Sequence, residues 1–216
     1  MAESHVHWKE INGEIKQLVA YNDFLKENYG TIDWAAFFDC DEFLVLKDSW
    51  NVQTFLDSAK DYYGVAMNWK FFGDSNLTYD TGQKGVLSRF THCQKLFNQH
   101  IKTILNIKKL RDSGMHTKFI ENPHNVDIAA NGSSSQTIVS SDFKHFVNGP
   151  FNKDYVDDMH FLAHFFCKTR SEYINIKIAR GRADSDVIVT QELFDASNYN
   201  ECEELGLLKF YQQNCL

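Results

Sequence analysis

The chain has 216 residues, enough for one domain with a substantial core. Its 43% apolar and 24% charged residues exclude a disordered chain, and its 18 Phe, 9 Tyr and 4 Trp favour a sheet-containing fold over a helical bundle. With 22 Lys and Arg against 29 Asp and Glu, the net charge of −7 leaves no basic stripe for nucleic acid as a main partner. The 5 cysteines show no C-x-x-C spacing, so neither structural zinc nor a disulfide framework is expected, and a reducing, cytoplasmic compartment fits. Met1 to Lys9 contains no apolar run resembling a signal peptide. No apolar stretch approaches the roughly 20 residues of a membrane helix.

In chain order, Ile11, Ile15, Leu18, Val19 and Leu25 recur at helical spacing, with Gly30 as a stop. The continuous apolar run Trp34-Ala-Ala-Phe-Phe38 reads as a buried central strand whose end carries acid. Phe43–Leu46 resumes the apolar character, and Val52, Phe55, Leu56 and Ala59 suggest a short helix. Strands are expected at Gly64–Trp69, Val86–Phe90, Ile101–Asn106, Gln136–Ser140 and Phe161–Phe166, with a surface loop at Asn122–Ser135. Ser171 is placed to cap a helix bearing Ile174 and Ile178, which Gly181 would end in the left-handed conformation. Strands and helices interleave, which predicts a single α/β domain over 1–216, with a mixed central sheet and flanking helices.

The acidic run Asp39-Cys-Asp-Glu-Phe43 follows the expected buried strand. Two carboxylates at i and i+2 off a strand end converge on one divalent cation. Hard cations such as Mn²⁺ or Mg²⁺ take oxygen ligands, commonly one or two carboxylates plus substrate phosphates. Such an ion neutralises a diphosphate leaving group. Asp33 through Val45 resembles the W-x-x-x-x-D-x-D-E-F block of family-2-like glycosyltransferases with the GT-A fold. Gln17-Leu-Val-Ala-Tyr-Asn22 is similar to the helix before that block, and Met67-Asn-Trp-Lys-Phe-Phe-Gly-Asp-Ser75 to its W-x-x-F-G-x-S segment. His164-Phe-Phe-Cys-Lys168, Ser171-Glu-Tyr173 and Lys177-Ile-Ala-Arg-Gly181 resemble its H-Y-x-x-K-S-x-E-E-F-x-x-K-x-x-R-G ending, with Phe165 where Tyr is usual.

That resemblance implies the C-terminal two-thirds of a GT-A fold. The initial nucleotide-binding unit is expected to be missing, so that an upstream half or a partner would supply the nucleotide pocket. It also implies transfer of a sugar from a nucleotide-sugar donor, UDP-linked, to a carbohydrate or other hydroxyl acceptor. Asp39 and Asp41 would hold the metal, and His164 would complete its shell, with His116 as the competitor or a substrate-binding residue. Lys177 and Arg180, spaced i, i+3 on one helix face, form with Lys168 a basic cluster for the donor diphosphate. An inverting transferase needs a general base, for which Asp74 after Gly73 is the candidate, with Asp80 and Glu42 as rivals. Trp69 is placed to stack on a sugar face. Each of these residues also has a plain structural reading as core, turn or solvated face. Two other functions compete. One is a haloacid-dehalogenase-type phosphatase, although Phe43 stands where that motif wants Thr or Val. The other is a non-catalytic binding remnant.

Overall fold

The computed structural model describes residues 6–13, 16–80, 85–114, 116–117, 128–129, 137–155, 158–182 and 186–214, with backbone alone at 116–117 and 128–129. Ile15, Gln136, Cys215 and most of the expected loop at 122–135 lie outside them. The elements run α1 (Gln17–Asn28), β1 (Trp34–Ala36), β2 (Glu42–Leu46), α2 (Val52–Ser58), β3 (Gly64–Phe71), α3 (Val86–Arg89), β4 (His92–Cys93), β5 (Ile101–Asn106) and α4 (Ile107–Asp112). There follow β6 (His116–Thr117), β7 (Ile128–Ala129), β8 (Ile138–Ser140), β9 (His160–His164) and α5 (Arg170–Glu172), which continues as a π-helix over Tyr173–Ile178. The last are α6 (Gln191–Ser197), β10 (Cys202–Glu203) and α7 (Gly206–Asn214).

The fold is mixed α/β, as the interleaved pattern predicts. Its main sheet has the order β1-β5-β3-β9-β2, with β8 also paired to β3. The pairings of β1 with β5, β5 with β3, and β2 with β9 are antiparallel; β3 runs parallel to β8 and β9. The centre is β3, in which all eight residues are buried. The Trp34–Phe38 run is a correction to the central-strand expectation. Only Trp34–Ala36 is strand, and it forms the sheet edge beside β5. Only Ala35 of the run is buried and Ala36 is exposed, so its continuous apolar character reported neither full burial nor rank within the sheet. Here Phe37 serves burial by stacking on Tyr21 of α1, 4.4 Å between ring centroids.

Side-chain alternation divides the sheet into two faces. Val65, Met67, Trp69 and Phe71 of β3 share one face with Leu162 of β9 and Ile104 of β5. Phe161, Ala163 and Phe165 point the other way and pack with Val45, Phe72 and Phe90. Burying side chains of this size stabilises by about 1.5–3 kcal/mol each. On the first face, the same alternation carries His164 beyond Leu162, and Lys102 beyond Ile104. The sheet's period of two therefore assembles one end of that face into a site.

Three local expectations change. Val86–Phe90 is not a strand but a helical turn, and from it Arg89 makes a two-pronged ion pair with Glu172, at 2.7 and 2.9 Å. The helix after β9 is capped by Thr169, not Ser171, because Glu172 sits three residues on and completes a capping box. Residues 128–129, inside the expected loop, pair with His116–Thr117. Gly181 does take the left-handed conformation, at φ +75°. Gly73 is required for a different reason from a turn, because the Tyr199 carbonyl passes directly over it. A Cβ there would lie 2.3 Å from Tyr199 O and 2.5 Å from Asn200 Oδ1. Gly73→Ala is expected to destabilise the fold by about 1–3 kcal/mol, lowering the melting temperature by roughly 2–4 °C per kcal/mol for a chain of this size. Calorimetry reads the shift directly, and an unchanged transition would mean that this approach is not tight in solution.

Candidate active site

The acidic run forms a tight turn between β1 and β2 that its own last residue closes. Glu42 N donates to Asp39 O at 2.9 Å, and Asp39 N donates to Glu42 Oε2 at 3.0 Å. Strand register then fixes what the turn meets. Glu42 lies opposite His164 in the β2–β9 ladder, and Phe165 N donates to Asp41 O at 2.9 Å. Asp41 Oδ1 consequently stands 3.7 Å from His164 Nε2. On the other side, the run of β1 along β5 brings Asp39 to Lys102, with Nζ to Oδ2 at 3.3 Å.

Each acid is matched by cationic or amide donors. Asp39 Oδ1 accepts from Gln17 Nε2 at 2.7 Å. Asp41 Oδ2 accepts from Lys177 Nζ at 3.0 Å, and that ammonium also donates to Phe166 O at 3.1 Å while lying 3.7 Å from the Phe166 ring centroid. Lys102, 2% exposed in its side chain, sits 3.7 Å from the fully buried Glu42 carboxylate. Burial pushes the Glu42 carboxyl up to about 8, against the pull of Lys102 and with the push of Asp39 and Asp41. Burial also works to raise Asp41, but His164, Lys177 and Lys168 outweigh it and hold that carboxyl below its ordinary range. Lys177 is shifted down by burial against the opposing pull of Asp41.

These groups open onto a cleft of about 580 Å³. Asp39, Asp41, His164, Lys177, Arg180 and Trp69 all line it, so six of the nine residues singled out from sequence converge there. The His116 side chain lies outside the described residues, and the other two do not line the cleft. Lys168 acts on Asp41 only as a nearby charge. Asp74 is a clamp: its carboxylate accepts from Asn198 Nδ2, Asn200 Nδ2 and Asn76 N, each at 2.9 Å, and it does not line the cleft. Of the rivals for a base, Asp80 is exposed and 3.5 Å from Arg89, and Glu42 is sealed behind the turn.

Sequence reasoning gave no site role to several cleft residues, among them Gln17, His100, Lys102 and Tyr199. Lys102 left a signal, a charge within an apolar strand. His100 left little, because its environment is made by folding. His100 stacks on Trp69 at 5.3 Å and meets Phe151 edge-on at 4.9 Å. Asn98 Oδ1 accepts from His100 N at 2.9 Å and faces Nδ1 at 2.6 Å. An oxygen already accepting from that backbone N–H makes Nδ1 the donor, so Nε2 carries the lone pair. Burial lowers this imidazole from the ordinary 6.5, so it is neutral at pH 7.

Asp41 and His164 are adjacent, while Asp39 is held by Gln17 and Lys102. Among the described residues no group of three His, Cys, Asp or Glu side chains is gathered around a metal position. The donor chemistry nevertheless fits a cation such as Mg²⁺, whose shell needs only one or two carboxylates from protein when phosphates supply the rest.

The sequence profile of glycosyltransferase family 92 matches residues 4–165, three-quarters of the chain. This chain belongs to glycosyltransferase family 92. It is therefore an enzyme of glycosyl transfer, with a nucleotide-sugar donor and an acceptor, and the phosphatase alternative falls away. The family is 92, in place of the family-2-like assignment. The match spans the acidic turn, Trp69, His100, Lys102 and His164, and ends before Lys177 and Arg180. No curated protein matches the chain. No helix among the described residues is long and apolar enough to cross a membrane.

Replacing Asp74 separates a clamp from a base. Asp74→Ala strands two asparagine amides and a backbone N–H, so unfolding stability should fall by about 1–3 kcal/mol. A general base would instead show a kcat loss of roughly 10²–10⁴-fold with stability intact. Denaturant titration and a transfer assay on the same variant decide between them.

Proposed function

We propose that this enzyme moves a sugar from a UDP-linked donor to an acceptor hydroxyl, with inversion, on the C-terminal part of a GT-A fold. One observation carries the reading: the Asp39–Asp41 turn, with Lys177 paired to Asp41 at 3.0 Å, shares with Arg180 a cleft whose other lining includes Trp69, Phe71 and Tyr199. A diphosphate needs cationic donors and a sugar ring needs an apolar face, and the cleft offers both. Lys177 and Arg180 bind the diphosphate and stabilise the charge that grows on it as the glycosidic bond breaks. Asp39, Asp41 and His164 would hold Mn²⁺ or Mg²⁺, which when bound supplies further positive charge to the leaving group. The edge of Trp69, a residue 8% exposed, borders the sugar's position.

In place of Asp74, His100 is the general base. The acceptor oxygen attacks the anomeric carbon and the carbon–oxygen bond to the diphosphate breaks. The hydroxyl proton passes to His100 Nε2, while Asn98 keeps the ring in the tautomer that accepts it. A neutral imidazole is needed, and burial within the Trp69–Phe151 stack provides it.

Two measurements test this reading. Calorimetric titration with Mn²⁺ in the presence of UDP should show binding that Asp39→Asn and Asp41→Asn each abolish; unchanged heats in the double variant would remove the metal role. For the base, protonation at Nε2 ends activity, so kcat should drop about tenfold per pH unit below a pKa lying under 6.5 and stay level above it. His100→Ala should lower kcat by roughly 10²–10⁴-fold and erase that acid limb. A limb that survives in the variant belongs to another group.

A further inference from the structure

Cys93 and Cys202 are directly opposed in the antiparallel β4–β10 pair, with their sulfurs 3.6 Å apart. Opposed Cα atoms in such ladders are about 4.5–5.5 Å apart, within the roughly 4.4–6.8 Å that a disulfide spans. The two thiols are 109 residues apart in sequence, so no spacing motif announces them. Their surroundings differ in a useful way. Cys93 is fully buried, whereas Cys202 is partly exposed and its sulfur lies 3.5 Å from Gln94 O.

The two strands join parts of the molecule that matter to the cleft. On one side, β4 is fixed to the end of β3, through Gly73 N to His92 O at 3.0 Å and Gln94 N to Phe71 O at 2.9 Å. On the other, β10 ends a strap, residues 197–204, that leads from α6 to α7. Ser197 and Tyr199 of the strap line the cleft, and Asn198 and Asn200 clamp Asp74. Short backbone bonds dock the strap on β4 and its neighbours, from Glu201 N to Cys93 O at 3.0 Å and from Glu204 N to Thr91 O at 2.7 Å.

We propose that Cys93 and Cys202 form a disulfide that locks the 197–204 strap, one wall of the cleft, onto the end of β3. The oxidant is a small disulfide of the glutathione class. The Cys202 thiolate attacks one of its sulfurs, forming a mixed disulfide and releasing one glutathione thiolate. The Cys93 thiolate then attacks Cys202 Sγ and expels the second glutathione. Two protons and two electrons leave the protein, and two glutathione thiols are produced. Burial raises the Cys93 thiol well above its ordinary value, which makes the second step the slower one and accelerates it at alkaline pH.

The test needs no sugar donor, so it stands apart from the transfer reading. The full chain is equilibrated with mixtures of oxidised and reduced glutathione, or with dithiothreitol, then alkylated and digested without reduction. The expected result is a Cys93–Cys202 linked peptide, loss of two titratable thiols, and a melting temperature raised by about 5 °C or more, all reversed by dithiothreitol. Cys202→Ser should lose the linked peptide and the redox-dependent shift while melting near the reduced protein, and Cys202→Ala provides the same comparison without a new hydroxyl. Recovery of Cys202 solely as its glutathione adduct, its pairing with Cys40 or Cys215 instead, or a linkage that leaves the melting temperature unchanged would each overturn the proposal.

Discussion

Asp39, Asp41 and Glu42 occupy one turn of chain, and three carboxyl groups that close, half-withdrawn from water, would repel one another unless Lys102 and Lys177 faced them. Lys102 reaches in from β5 and Lys177 from the helix after β9, so the ammonium groups approach from two different elements. Removing one member of such a buried set leaves an uncompensated charge, which is why it constrains the surrounding structure more than it stabilises it. The register of β2 against β9, the course of β1 beside β5 and the aim of Lys177 must all be right at once. The rest of the cleft is arranged around that requirement.

The cleft is two-sided in its chemistry. Cations and carboxylates meet at the turn, while Trp69, Phe71, Phe166 and His164 make a continuous set of ring contacts behind it. His164 belongs to both sides: its ring stacks on Phe71 at 5.0 Å, while Nε2 faces Asp41. A residue packed by three aromatic rings, one stacked and two edge-on, is a rigid support, and rigidity is what a site of fixed geometry needs.

How much of this was legible in the sequence differed with the physics of each part. The strand Gly64–Trp69 and the helix from Val52 announced themselves through local pattern, as did the acidic turn with its carboxylates at i and i+2. His164 could be suspected from resemblance, but its place beside Asp41 is a fact of β2–β9 register, which no local window contains. Val86–Phe90 was misread because a five-residue segment with only three apolar residues has no reliable period, and Arg89 had to turn inward to reach Glu172. Asp74 looked catalytic because nothing local revealed Asn198 and Asn200, more than a hundred residues away, waiting for its carboxylate. Cys93 and Cys202 were invisible as a pair for the same reason.

The π-helical stretch Tyr173–Ile178 carries a consequence for how this helix tolerates change in length. A π-turn holds one residue more than the α-turn it replaces, and such bulges commonly mark functional sites. Deleting a single residue there would let the helix relax to regular α geometry without breaking it. The π-turn spends one extra residue on nearly the same rotation, so the residues beyond it, Arg180 included, would keep their phase. A deletion in the regular helix on either side has no such slack and would turn everything after it by about 100°. The bulge is thus where this helix can lose a residue without turning its basic face away from the acidic turn.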